Sequence, residues 1–273
     1  MAQGPSQQQE QQSAASAASG KGWLERAGHA LFRFRSLTPL PLLAVALPLL
    51  WAGRGAASPL WLWSGLAACA AGQALRAWVL GQVPDGTSGQ NENLIATALN
   101  THGPYARTRN PLYLGNLGIT LGLCLVAHDP VVLLLTLALF ALQYRAIIAV
   151  EEAFLGERFG AAYTEFCARV PRFWPTLAAA PPAIAPAFSW ARVVRKEHNP
   201  LAAWLLLALL FTALDSAVPA LHAGAPLSLE GLGLWPHTLA FAAVLGLWLA
   251  AKGRKHHWLS GGFTADLRRR LGR

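Results

Sequence analysis

Six runs of apolar residues, each close to the length that crosses a bilayer, constrain this chain more than any other feature. They occupy residues 37–52, 60–80, 112–127, 131–150, 201–218 and 232–251. A spanning helix needs roughly 17–25 such residues, and in hydrocarbon the backbone must satisfy its own polar groups, so each run is expected to be a helix. The first and third runs are short and are expected to tilt little or to insert only in part. With 54% hydrophobic and 13% charged residues, the chain lies outside the soluble norm. The fold predicted is an all-α, polytopic helical membrane bundle of about six transmembrane helices with interfacial helices and no Rossmann domain.

Twenty-two Lys and Arg stand against thirteen Asp and Glu, a formal charge of +9. In a soluble protein that balance suggests nucleic acid, but here the charges alternate with the connectors. Arg54 is the sole basic residue between the first two runs, and residues 128–130 and 219–231 hold neither Lys nor Arg. Arg26, Arg33, Arg35, Arg107, Arg109, the basic residues of 158–196 and those of 252–273 fall on the other side. By the positive-inside rule both termini are expected in the cytoplasm, with the bilayer as partner and no nucleic acid. The alanine-rich composition points to a bacterial inner membrane. No signal peptide is expected, because a long polar leader precedes the first run and no small-residue cleavage site follows it. Cys69, Cys124 and Cys167 suggest neither disulfide nor metal, and the scattered histidines His102, His198, His256 and His257 have no ligand spacing, so no metal is expected.

Composition divides the chain into six parts: a disordered leader with a basic interfacial segment (1–36), two spans (37–81), a central core (82–175), a Pro/Ala connector with a basic interfacial segment (176–199), two further spans (200–251) and a basic tail (252–273). Residues 23–35 read either as a helix in the headgroup layer or as the basic flank of the first span. Residues 81–108 are polar and turn-rich. Residues 151–174 carry Phe154, Leu155, Phe159, Tyr163, Phe166 and Val170 at helical spacings, with Pro171 expected to end the helix.

Two stretches of the core carry the chemistry. In GPYARTRNPLYLG (103–115), Pro111 is placed to open a helix whose free N–H groups, beside Arg109, suit a carboxylate or phosphate. Alternatively, Arg107 and Arg109 anchor a span end to headgroups. Tyr105 and Tyr113 bracket the turn, where aromatic faces attract cations. Gly115, Gly118 and Gly122 recur at helical spacing, which suits close helix packing, and Gly115 also leaves room for a ligand. In EEAFLGERFGAAYTEFCARVPRFWP (151–175), Glu151 and Glu152 diverge by about 100° around a helix. One is placed to meet a ligand ammonium or ribose while the other pairs with Arg145 or Arg158. A salt-bridged span terminus is the plainer reading. Arg169 and Arg172 flank Pro171 as a headgroup clamp or a basic belt.

Together these stretches resemble the isoprenylcysteine carboxyl methyltransferase and phospholipid methyltransferase superfamily, whose pattern runs GPY..VRHP.Y.G and then EE..L...FG..Y..Y...V.RF.P. The resemblance covers residues 82–175. It implies S-adenosylmethionine bound within a helical membrane protein, without a Rossmann fold, by Gly103, Pro104, Tyr105, Arg109, Asn110, Pro111, Tyr113 and Gly115 from the first motif and Glu151 and Glu152 from the second. Asn110 departs from the more common histidine, which puts any role for a titrating imidazole there in doubt.

The expectation is therefore an enzyme, an S-adenosylmethionine-dependent methyltransferase acting on a membrane lipid or lipidated acceptor with an anionic headgroup, carboxylate or phosphate. Arg109, Glu152 and Arg172 are its catalytic candidates, and Arg145, Tyr163, Arg169 and Arg172 its substrate-binding candidates. A sulfonium methyl is already activated, so an anionic acceptor needs orientation and water exclusion more than a base. An amine acceptor would need Glu151 or Glu152 to take its proton. The competing readings are a membrane NADPH-dependent reductase of steroid or isoprenoid type and a non-catalytic, lipid-binding adaptor.

Overall fold

The computed structural model describes residues 39–53, 58–84, 96–176 and 187–255. The expected leader, the helix over 23–35, Arg54, most of the Pro/Ala connector and the tail beyond 255 lie outside the described residues. Those that are described form helices and connecting turns and no strand: α1 (Pro39–Gly53), α2 (Pro59–Gln82), a 3-10 turn (Gly103–Ala106), α3 (Pro111–Ala127), α4 (Pro130–Phe159), α5 (Ala161–Arg169), α6 (Trp190–His222) and α7 (Trp235–Lys255). Two of these, α4 and α6, are long and apolar enough to cross a membrane. The 15 residues of α1 rise only about 22 Å, α3 is a shorter apolar helix, and α2 carries Gln73 and Arg76 within its apolar run.

Local signals set the boundaries. Pro59, Pro111 and Pro130 each open a helix, where the missing N–H costs nothing. Asp129 caps α4 by accepting from the N–H groups of Val131 and Val132, both at 2.9 Å, and Ser189 caps α6 by accepting from that of Arg192. Two predicted elements are corrected. The helix expected over 151–174 is interrupted at Gly160, whose φ of 52° ends α4 and starts α5, and α5 stops at Arg169, ahead of Pro171. The basic segment 189–198, expected to lie apart from the fifth span, is continuous with it in α6, which runs through Pro200.

The closest packing joins α2 to α3. A Cβ on Gly72 would fall 2.5 Å from the carbonyl oxygen of Gly115 and 2.7 Å from the nitrogen of Ile119, and one on Gly122 would fall 2.5 Å from both Gly65 O and Cys69 Sγ. Small residues let these backbones touch, which is how helices gain dispersion energy where lipid offers no hydrophobic drive. Near the far end of α3, Ala46 and Leu50 of α1, Val126 and Ala127 of α3, Val132 of α4 and Phe211 of α6 close a common apolar core. Helix α7 meets α6, where Trp248 Nε1 donates to Asn199 Oδ1 at 2.8 Å.

Gly72→Ala forces backbone apart on both helices and is expected to lower stability by about 1–3 kcal/mol. Gly246→Ala on α7, where a Cβ meets nothing within 4 Å, is expected to be neutral. Thermal unfolding in detergent separates the two, and equal midpoints would contradict the packing.

Candidate cofactor site

Main-chain hydrogen bonds bind the first motif to the end of the second. The N–H of Arg109 donates to the carbonyl of Pro171 at 2.9 Å, and that of Thr176 donates to the carbonyl of Arg107 at 2.9 Å. Between these rungs the Thr108 hydroxyl donates to Phe173 O at 2.7 Å, and the Asn110 amide donates to Arg172 O at 2.8 Å. Thr108 and Asn110 are buried, so these bonds replace lost water rather than decorate a surface. The clasp brings residues 107–110 against 171–176 and holds the start of α3 beside the end of α4. Gly103, at φ 58°, makes the turn that enters it.

Glu152 lies between two arginines. Arg109 Nη1 is 3.1 Å from Glu152 Oε1, the side chains being 15% and 17% exposed. Arg172 Nε donates to both Glu152 oxygens at 3.0 Å, and its Nη2 closes a second contact to Oε2. The hydrogen bond to Glu152 holds the Arg172 pKa above its ordinary value. Arg109 Nη1 also approaches Cys167 Sγ at 2.6 Å. Arg109 Nε is buried and has no hydrogen-bond partner among the described residues.

Glu151 faces another way. The Tyr113 hydroxyl donates to Glu151 Oε1 at 2.6 Å. Burial, with the Glu151 charge adding to it, raises the Tyr105 phenol above its usual range, so Tyr105 stays neutral. Burial is also the first cause of the raised Tyr163 phenol, followed by the charge of Glu152. Tyr163, Phe166 and Val170 pack with Leu99, Leu155 and Phe159 and fold α5 back over the end of α4. The arrangement thus offers one unpartnered guanidinium donor, two carboxylates pointing apart and two neutral phenols.

Residues 60–162 match the phospholipid methyltransferase family. The match agrees with the resemblance carried by the paired motifs. A 90-residue stretch is 37% identical to the cobalt-zinc-cadmium resistance protein CzcN of Cupriavidus metallidurans. That alignment covers 33% of this chain, which spans about two fifths (39%) of the relative's length. No solved structure gives a significant match. The phospholipid methyltransferase segment includes α2, α3, α4 and the first residues of α5, while Tyr163, Arg169, Arg172 and all of α6 and α7 lie beyond it.

The structure sorts the predicted site residues. Gly103, Pro104, Tyr105, Arg109, Asn110, Pro111, Tyr113, Glu151, Glu152, Tyr163 and Arg172 come to the clasp or to the carboxylates beside it. Gly115 does not: a Cβ there would fall 2.6 Å from Arg76 Cγ and 2.9 Å from Gly72 O, so it faces α2 and leaves no room for a ligand. Arg145 is exposed on α4, and Arg169 is exposed and, among the described residues, donates to the carbonyl of Glu165 at 3.4 Å. The partners expected for the glutamates were helix neighbours, Arg145 or Arg158, yet Glu152 pairs across the chain with Arg109 and Arg172. Asn110, in place of a histidine, uses its amide to hold the clasp.

Sequence reading passed over a second polar group, deeper in the bundle. Arg76 Nε and Nη2 donate to Glu197 Oε2 and Oε1 at 2.9 and 2.6 Å. Gln73 Nε2 donates to Glu197 Oε2 at 2.7 Å, and Trp204 Nε1 donates to Gln73 Oε1 at 3.1 Å. Arg76 Nη1 also meets Asn116 Oδ1, and Asn116 Nδ2 donates to the Tyr144 hydroxyl at 2.8 Å. An ionisable residue inside an apolar run was the available signal.

Asn110→Leu removes one clasp bond and strands the Arg172 carbonyl, with an expected loss of about 1–3 kcal/mol. Arg169→Ala, on an exposed side chain bonded only within its helix, is expected to change stability by less than about 0.5 kcal/mol. Denaturant titration of both variants checks the order, and an inert Asn110→Leu would mean that the clasp does not hold the motifs together.

Proposed function

We propose that the chain is a membrane methyltransferase that moves a methyl group from S-adenosylmethionine to a lipid or lipidated acceptor. Arg109 Nε carries the reading. A buried donor without an acceptor costs about 1–3 kcal/mol, and this one lies next to Glu152 and just before the first turn of α3. Such a group is placed to receive the carboxylate of an amino-acid moiety. The matched family and the paired motifs support the same choice.

When bound, the cofactor supplies an activated methyl on a sulfonium. Arg109 would hold its carboxylate through Nε, with Nη1 on Glu152. Glu151, oriented by the Tyr113 hydroxyl, would meet the positive end. The rings of Tyr105 and Tyr113 would add cation–π attraction and exclude water. For the acceptor we favour an anionic headgroup, because Arg145, Arg169 and Arg172 are exposed cations on α4, on α5 and just past Pro171. Helices α4 and α6 meet the spanning criteria. The apolar runs support six spans, the alternation of charge supports cytoplasmic termini, and the alanine-rich composition supports a bacterial inner membrane.

The test is transfer of labelled methyl from S-adenosylmethionine into a total lipid extract by the purified chain in proteoliposomes. Wild type is expected to label a lipid fraction, and Arg109→Ala to lower cofactor affinity by about 10- to 150-fold, the value of a charge-assisted hydrogen bond. Thermal stabilisation by NADPH and not by S-adenosylmethionine would replace this reading with the reductase.

A further inference from the structure

The buried group around Arg76 is continuous with the cofactor site, and its hydrogen bonds have a fixed direction. A guanidinium only donates, so the Asn116 atom that meets Arg76 is its oxygen and the amide nitrogen faces Tyr144. The Tyr144 oxygen is thereby an acceptor toward Asn116. Glu197 fixes the guanidinium itself through two bonds and accepts a third from Gln73. Arg76 is 8% exposed and Glu197 3%, so neither rearranges without stranding a buried charge. Beyond Tyr144 the chain of contacts turns toward the site. Its ring lies 4.8 Å from that of Tyr113, with Phe140 at 4.1 Å on Tyr144 as well, and Tyr113 donates to Glu151. Tyr113 and Asn116 are three residues apart on α3 and share one face.

We propose that Arg76 is a positioning residue for Glu151, the carboxylate at the cofactor site, acting through the amide of Asn116 and the adjoining, tilted rings of Tyr144 and Tyr113. It rests on the reading above that Glu151 belongs to an S-adenosylmethionine pocket. Because Glu197 lies on α6, outside the matched segment, α6 takes part in setting the pocket's geometry. Asn116 and Tyr144 touch no cofactor group in this account, and their effect reaches it through Tyr113.

A double-mutant cycle on cofactor affinity separates this coupling from a purely structural role. S-adenosylmethionine is titrated calorimetrically into the detergent-purified full chain as wild type, Asn116→Leu, Tyr113→Phe and the double variant, with a thermal midpoint for each. Each single change is expected to weaken binding about fivefold, and the double variant no more than about fivefold, because both act on one hydrogen bond to Glu151. Arg76→Lys keeps a cation opposite Glu197 but gives up the Nη1 contact to Asn116, and is expected to match Asn116→Leu in affinity. Single effects that multiply to about 25-fold, or wild-type affinity in Asn116→Leu or Arg76→Lys, overturn the proposal while leaving the cofactor reading intact. Absence of binding by wild type defeats the cofactor reading, and this proposal with it.

Discussion

The position of Glu152 between Arg109 and Arg172 is the interaction on which the site depends. Its carboxylate comes from α4, Arg109 precedes α3 and Arg172 follows α5, so one side chain ties three elements that are distant in sequence. Arg172 is half exposed, and its pair adds at most about 1 kcal/mol. Its main-chain carbonyl contributes more by taking the Asn110 amide. Arg109 is the more consequential partner. Its backbone is fixed by Pro171 and one nitrogen by Glu152, leaving Nε presented without the freedom to turn away.

That small site sits on a support built by different physics. Glycines bring α2 and α3 into backbone contact, and this proximity puts Arg76 within reach of Asn116 on one side and Glu197 on the other. A buried ion pair is weak as a source of stability, since desolvation offsets most of its attraction. Its better-attested use is to specify one arrangement among several that are similarly packed, and here its hydrogen bonds join α2 to both α3 and α6. The tyrosines and Phe140 carry that arrangement to the carboxylates.

The sequence was informative where local chemistry decides the outcome. Proline at Pro111 opens α3, and the joint presence of RNPLYLG and the paired glutamates marked the segment that matches phospholipid methyltransferases. It was less informative where a partner had to be found across the chain. Arg76 and Glu197 are 121 residues apart, and no periodicity announces such a pair. Glu152 has arginines at helical spacing, yet the clasp gives it Arg109 and Arg172 instead. Gly115 was read as room for a ligand because glycine signals close approach without saying to what, and the approach is to α2. Hydropathy located the apolar runs but not their continuations, since α4 and α6 extend past the bilayer-length portion into charged sequence.

The central claim is that the two motifs close on one cofactor. Hydrogen–deuterium exchange of the purified chain with and without saturating S-adenosylmethionine tests it most directly, because exchange reports each segment separately. The account predicts slowed exchange in both the turn Gly103–Ala106 with the start of α3 and the segment from Gly160 to Thr176, at the same cofactor concentration. Protection confined to one of the two, or to neither at saturation, would contradict it.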